Sequence, residues 1–224
     1  SMGVSSATFN TNPNRAFGDL DWEASLMDLT SAYAVLANQG TMVGEESPSD
    51  SAARYSLQPS IISTIEDGVR RSVYSFEPEQ KAVLSAQLAY LMTNVLTDET
   101  ARWSALGQSN TLEIGRPAGA IASVAGGGDF WSLGYTPSRV VGVWLGNLTG
   151  AEPVALHEMN SAAPVWHALI RYTTRDLPTA GWQIPPGVNR IDVCDPSGLL
   201  PTVYCPSVVS EVFINGTEPI TFDN

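Results

Sequence analysis

Leu26, Leu29, Tyr33 and Leu36 recur at helical spacing and predict a helix over 26–38. Ser25-Leu26-Met27-Asp28 opens it with a capping-box pattern, and Gly40 after Asn38-Gln39 supplies the stop. Residues 43–57 are rich in Ser, Glu and Asp without periodicity and read as a loop. Two β-rich runs, Ile61–Ile65 and Val69–Phe76, flank Asp67-Gly68 and predict a hairpin. Pro78, with Glu77 and Glu79 beside it, predicts the start of a long helix reaching Leu96. Its apolar stripe would be Leu84, Leu88, Leu91 and Val95. Residues 97–118 read as irregular.

Three short strands follow, at 120–124, 130–135 and 140–145, separated by Gly126-Gly127-Gly128 and Thr136-Pro137-Ser138. Val140 to Leu145 is continuously apolar, as expected of a strand covered on both faces. Ser161 and Pro164 open a further helix to about Arg175, through Trp166, Leu169 and Ile170. Consecutive strands on short turns pair antiparallel. The order therefore predicts an α+β fold, an antiparallel sheet covered by helices. Residues 1–22 read as an extended lead-in, 23–180 as the α+β domain, and 181–224 as a Pro-rich tail packed on or extending from it. Short strands are expected in the tail at 190–193 and 208–214.

Composition narrows the function classes. Hydrophobic residues make up 43% of the 224 and charged residues 15%, the balance of a folded core. Acidic residues number 23 against 11 basic ones, a net charge of -12, which repels phosphate backbones and argues against nucleic-acid binding. No apolar run reaches the ~18 residues of a membrane span, and no signal-peptide pattern opens the chain. Ser1-Met2 reads as a cut edge. Lys81 is the single lysine, so lysine chemistry has one possible address. Cys194 and Cys205 are the two cysteines. In an oxidising compartment they would close a short disulfide loop. Two unpaired thiols are the alternative. Two thiolates alone make a poor zinc site, and the spacing is not that of a Cys-x-x-Cys redox pair.

Several segments carry a family likeness. Leu29 to Gly40 is similar to an "A-Y-A-x-x-A-N-x-G" helix, and Gly115-Arg116-Pro117 precedes the next match. Trp131-Ser132-Leu133-Gly134-Tyr135-Thr136-Pro137 resembles "W-F-x-G-Y-T-P", and Val141 to Asn147 resembles "x-G-V-W-x-G". Ala162-Ala163-Pro164-Val165-Trp166 resembles "A-A-P-I-W". Val193-Cys194 with Ser197-Gly198 and Tyr204-Cys205-Pro206 resembles a C-terminal signature. Each is weak alone, but together, in order, the chain resembles the C-terminal part of the transpeptidase domain of class A penicillin-binding proteins. The likeness implies a penicillin-binding, serine-transpeptidase-like fold that is incomplete at its N-terminus, a cell-wall setting outside the cytoplasm in a bacterium, and no cofactor or metal.

The chemistry implied is acyl transfer on D-Ala-D-Ala stem peptides. A serine attacks the amide, the Lys of Ser-x-x-Lys takes its proton from one helical turn away, a Ser-x-Asn loop assists, and a Lys-[Thr/Ser]-Gly strand meets the substrate carboxylate. None of these signatures is present. Pro78 stands three residues before Lys81, Ala82-Val83 follow it, and no serine has Asn two positions later. The first two signatures lie, in the family, upstream of Met2-Gly3-Val4. The third falls inside the chain: counting back from Trp131 puts it at Ala120-Ile121-Ala122, followed by Ser123. That position has lost its ammonium and gained apolar side chains, leaving Ser123 as a possible donor and Arg116 as a substitute cation of the wrong kind. No catalytic residue is assigned.

His157-Glu158 lacks the second histidine of a zinc-protease motif, and His167 reads as a helix-surface or capping residue. Trp131, Trp144 and Trp166 read as packing residues rather than a sugar platform. The expected role is that of a transpeptidase-like domain of a peptidoglycan-synthesis protein, inactive as this chain, structural or regulatory. The alternatives are the non-nucleophile half of a working D,D-transpeptidase and a module binding wall glycan or peptide. Expected partners are peptidoglycan or other wall-synthesis proteins; the parent could still be membrane-anchored.

Overall fold

A computed structural model describes residues 24–46, 57–125, 129–147 and 162–223. Its centre is an antiparallel meander, β6 (Gly119–Ala125), β7 (Asp129–Thr136) and β8 (Arg139–Leu145), in the order β6-β7-β8. Helix α1 (Leu26–Ala37) and helix α4 (Ala162–Thr174) both pack on β7 and β8. Strand alternation puts them on opposite faces. A Cβ on Gly134 would meet the Trp166 ring of α4 at 2.4 Å. Its neighbour Leu133 pairs with Gly142, where a Cβ would meet Thr30 of α1 at 2.2 Å. Each glycine is thus the gap that lets one helix approach the sheet.

The core divides accordingly. On the α4 face, Trp166 and Ile170, both fully buried, pack with Leu112, Ile114, Ala120, Phe130 and Val143. On the α1 face, Leu36, Ala37 and Tyr135 pack with Ala89 of α2 (Ala86–Thr97). Tyr135 ties this side together. Its hydroxyl shares a 3.0 Å hydrogen bond with Thr93, and its ring meets Tyr33 and Trp182 edge-on. Gly119 stays glycine because a Cβ there would sit 2.7 Å from the Tyr135 ring.

The caps at α1 are as expected. Ser25 accepts from the Asp28 amide at 3.0 Å, and Gly40 turns the chain at φ +90°, with no room for a side chain against the Leu84 carbonyl. The α+β class, the hairpin, the meander and the fourth helix also appear. The hairpin is β3 (Thr64–Glu66) and β4 (Ser72–Ser75), with Asp67 accepting from the Val69 and Arg71 amides in its turn.

Four expectations are overturned. Pro78 does not start a helix: Glu79–Ala82 is strand β5, paired with β1 (Thr41–Glu46), and α2 begins only after its cap Ser85. The supposed loop from 43 therefore begins as strand, and residues 57–58 form β2 on the other edge of β1. The stripe assigned to the core is also wrong, since Leu88 and Val95 are exposed while Ala89, Tyr90 and Thr93 are buried. Finally, 97–118 is not all irregular. Asp98 caps α3 (Glu99–Leu106) by accepting from Ala101 at 3.0 Å, and Gly107 ends it. The lead-in 1–22, the Gly126–Gly128 turn, His157 and the Ser161 cap lie outside the described residues.

The tail forms a long hairpin, β9 (Val188–Asp195) with β10 (Ser207–Ile214). Trp182 donates to the Ala37 carbonyl at 2.9 Å and Gln87 to that of Pro186 at 2.8 Å, which fastens the segment to α1 and α2.

Candidate functional site

Strand β6 carries the sequence-predicted position and lies at an edge of its sheet, bonded to β7 alone among the described residues. Such an edge offers backbone N–H and C=O groups to an extended segment. Register places Ala120 opposite Gly134, Ile121 opposite Leu133, Ala122 opposite Ser132 and Ser123 opposite Trp131. Ala120 and Ala122 therefore share the α4 face. Ala120 is 2% exposed within the Trp166 cluster, and Ala122 packs against the same cluster half-buried. Ile121 points to the other face, its carbonyl accepting from the Ser132 hydroxyl at 3.2 Å. The residue standing where an ammonium would be expected is thus a methyl group in the core.

Among the described residues, several cations are placed elsewhere. Lys81 lies on β5, opposite Met42 of β1, in a different sheet from β6. Arg116 reaches the Leu177 carbonyl at the long distance of 3.5 Å, beyond the C-terminus of α4. Arg102 donates from Nη1 to the Leu96 carbonyl, while its Nε and Nη2 are buried without a partner among the described residues. Burial pulls its pKa down, and the carboxylates of Glu99, Asp98 and Glu113 oppose that shift. Arg139 donates to the Ser138 carbonyl at 2.7 Å, and Arg175 lies 4.3 Å over the Tyr172 ring.

His167 donates from Nδ1 to the Thr111 carbonyl at 2.9 Å, leaving Nε2 facing Arg171 at 3.5 Å. It clips α4 to the segment before β6, and among the described residues its printed hydrogen-bond partners include no Ser, Thr or Cys side chain. Trp166 is fully buried, whereas Trp131 and Trp144 are half-buried against one another, ring centroids 6.3 Å apart. Tyr33 and Tyr135 are both pushed up to about 12, chiefly by burial, and Tyr33 also by its neighbour Tyr135. Neither phenol is poised as a base near neutral pH.

Cys194 and Cys205 form a disulfide with Cα atoms 5.7 Å apart, joining β9 to the residues that lead into β10. Asp223 approaches Cys194 Sγ at 3.3 Å. The two sulfurs and this carboxylate lie within 4.8 Å of one another, but bonded sulfurs are not thiolate ligands. A cavity of about 290 Å³ opens between α1, β1, β2 and the β7–β8 turn, lined by Ser31, Asn38, Met42, Leu57 and Arg139. Periodicity gives no sign of it, because it depends on β1, most of whose residues lie in the aperiodic stretch from 43. No described helix is long and apolar enough to cross a membrane.

Residues 184–224, the β9–β10 region, match the family described as "Penicillin-binding protein 1A, C-terminal domain". Penicillin-binding protein 2D of Bacillus subtilis is 23% identical over 199 residues, covering 86% of this chain and 26% of the relative. Penicillin-binding protein 1A of Clostridium novyi is 25% identical over 216 residues, covering 93% and 23%. The chain thus spans about a quarter of the length of these relatives. Among solved structures, penicillin-binding protein 1A from Haemophilus influenzae superposes with a TM-score of 0.76 at 18% identity, covering 96% of this chain and 35% of that one. PonA1 from Mycobacterium tuberculosis gives 0.63 at 17% identity, covering 83% and 52%. The chain has the fold of, and aligns along most of its length with, the C-terminal part of the transpeptidase domain of class A penicillin-binding proteins.

Proposed function

We propose that this chain, similar in fold and sequence to the C-terminal part of a class A penicillin-binding transpeptidase domain, serves a peptidoglycan-synthesis protein without performing acyl transfer at its own β6 strand. Its contribution is structural or regulatory, in the extracytoplasmic space of a bacterium. The observation that carries this reading is Ala120: the residue that counting back from Trp131 puts at the family's lysine position is a core alanine, 2% exposed. Losing such a charge at an electrostatic catalytic position removes on the order of 10²–10³ in rate. Ile121 replaces a hydroxyl and Ala122 adds a methyl beside the strand edge. The bonded Cys194–Cys205 pair supports an oxidising compartment.

One observation favours a second reading, in which the chain is the non-nucleophile half of a working D,D-transpeptidase: β6 keeps an open edge among the described residues. A fluorescent penicillin, incubated with this chain and with the full-length product of its gene, separates the two. The first reading predicts no covalent labelling of either. A labelled full-length product, its label lost on denaturation before incubation, establishes the second.

A further inference from the structure

Asn-Gly occurs at one place in the sequence, Asn215-Gly216, where β10 ends. An asparagine before glycine carries a latent reaction: the glycine amide nitrogen can close on the asparagine side-chain carbon, because no Cβ obstructs the approach. Its surroundings decide how fast. Asn215 and Gly216 are exposed. The Gly216 N–H donates to Glu218 Oε2 at 2.6 Å. Asn189 Nδ2, across the hairpin on β9, donates to Asn215 Oδ1 at 2.7 Å and reaches Glu218 Oε1 at 3.4 Å. The backbone is pinned on both sides, by Asn215 N–H to the Gly187 carbonyl and Thr217 N–H to that of Ile214, each at 2.9 Å. Hydrogen bonds from its own amide and from that of Gly216 hold the Glu218 carboxyl below its usual range, so it is ionised at neutral pH.

We propose that Asn215 is a self-modifying site, which Glu218 and Asn189 drive through a succinimide to aspartate and isoaspartate. The Gly216 nitrogen bonds to Asn215 Cγ as Glu218 Oε2 takes its proton, and Asn189 holds the oxyanion that forms on Oδ1. The tetrahedral centre then collapses, and Nδ2 leaves as ammonia with the proton that Glu218 returns. Water opens the ring at either carbonyl. One water is consumed, one ammonia is released, and nothing is oxidised or reduced. Two distances carry the assignment: a base must lie within hydrogen-bond reach of the proton it removes, and an oxyanion donor within reach of the oxygen that gains charge. A backbone carbonyl in the place of Glu218 would only restrain the N–H, whereas a carboxylate can also take its proton. Other sites lack the arrangement. Asp67-Gly68 has a carboxylate, a poor electrophile, already engaged by the Val69 and Arg71 amides. Asn38 and Asn110 donate to the Thr41 and Gly107 carbonyls and precede residues with side chains. The proposal does not depend on chemistry at β6, which belongs to a different sheet.

The test uses the full-length product of the gene, incubated at one neutral pH and sampled over time. Peptide mapping by mass spectrometry reads the fraction of Asn215 converted, and an isoaspartate-specific methyltransferase reads the isomer. The folded protein should convert faster than the same protein in guanidinium, where only the bare Asn-Gly reactivity remains. Glu218→Gln keeps an acceptor for the Gly216 N–H but cannot take its proton. It should slow the folded reaction roughly tenfold or more, below the ~10²–10⁴ of a sheltered base because water competes at this exposed turn. Asn189→Ala should slow it about threefold, the factor that one ordinary hydrogen bond supplies. In guanidinium all three proteins should react alike. A folded protein slower than the unfolded one overturns the proposal, because the hydrogen bonds would then be restraints. So does an unchanged or faster rate in Glu218→Gln. Should Glu218→Gln fail to fold, Asn189→Ala decides: a slower rate supports the proposal, and an unchanged or faster one overturns it.

Discussion

Placing lysine at Ala120 of β6, the position expected for it from the sequence, should harm the fold. Ala120 is 2% exposed and sits among Trp166, Ile170, Phe130 and Val143, where Gly134 already allows the Trp166 ring no slack. In Ala120→Lys, four further heavy atoms on the Cβ must enter a packed cluster, and such overpacking costs about 1–3 kcal/mol. The ammonium must then lose its water or lose its proton; either adds several kcal/mol, since no carboxylate belongs to that cluster. Together the substitution should remove about 3–6 kcal/mol, a large part of the ~5–15 kcal/mol that holds a domain. Urea unfolding followed by tryptophan fluorescence measures it, with Val69→Lys, at a position 70% exposed, as a control expected to move less than about 0.5 kcal/mol. If Ala120→Lys matched that control, its ammonium would have reached water, and β6 would line an open groove instead of a core.

Other expectations follow from the same packing. Gly134→Ala drives a methyl to 2.4 Å from Trp166 and should lose about 1–3 kcal/mol in the same unfolding assay. Reducing the Cys194–Cys205 bond, which spans 11 residues, should lose about 3 kcal/mol by freeing its loop, read as a lower urea midpoint with thiol reductant present. Tyr135→Phe removes the bond to Thr93 and should cost about 0.5–1.5 kcal/mol. Tyr33 and Tyr135, raised from 10.0 to about 12 in the fold, hold stability that is complete below pH 10 and drains as pH climbs toward 12, because the unfolded phenols ionise first. Phenolate absorbance during an alkaline titration should show two late tyrosines, or unfolding in that window; ordinary titration of both in a folded chain would contradict their burial.

What the sequence made legible was local. The meander followed from three short apolar runs on tight turns, and α1 from Ser25, its periodic leucines and Gly40. Strand β5 was not legible because its partner β1 is nearly forty residues earlier, and Pro78 with two glutamates mimics a helix start. The inner face of α2 could not be read from periodicity, since the helix is uncharged and its large apolar residues Leu88, Met92 and Val95 lie on the exposed side while Ala89 and Thr93 are buried. Helix α3 did leave signals, Asp98 before it and Gly107 after it, but it buries no residue and so has no apolar stripe. At the candidate site, counting from Trp131 gave the address of Ala120. Its depth depends on Trp166, a helix away in sequence, and came only with the fold.

The account turns on whether this protein still recognises the terminal carboxylate of a peptide. An acyl-D-Ala-D-Ala peptide and its C-terminal amide, titrated in parallel into the full-length product by NMR, address that directly. With no cation at Ala120, the two should bind equally weakly or not at all. A free acid bound roughly tenfold or more tightly than the amide would mean that another cation greets the carboxylate, and the silent-strand account would be wrong.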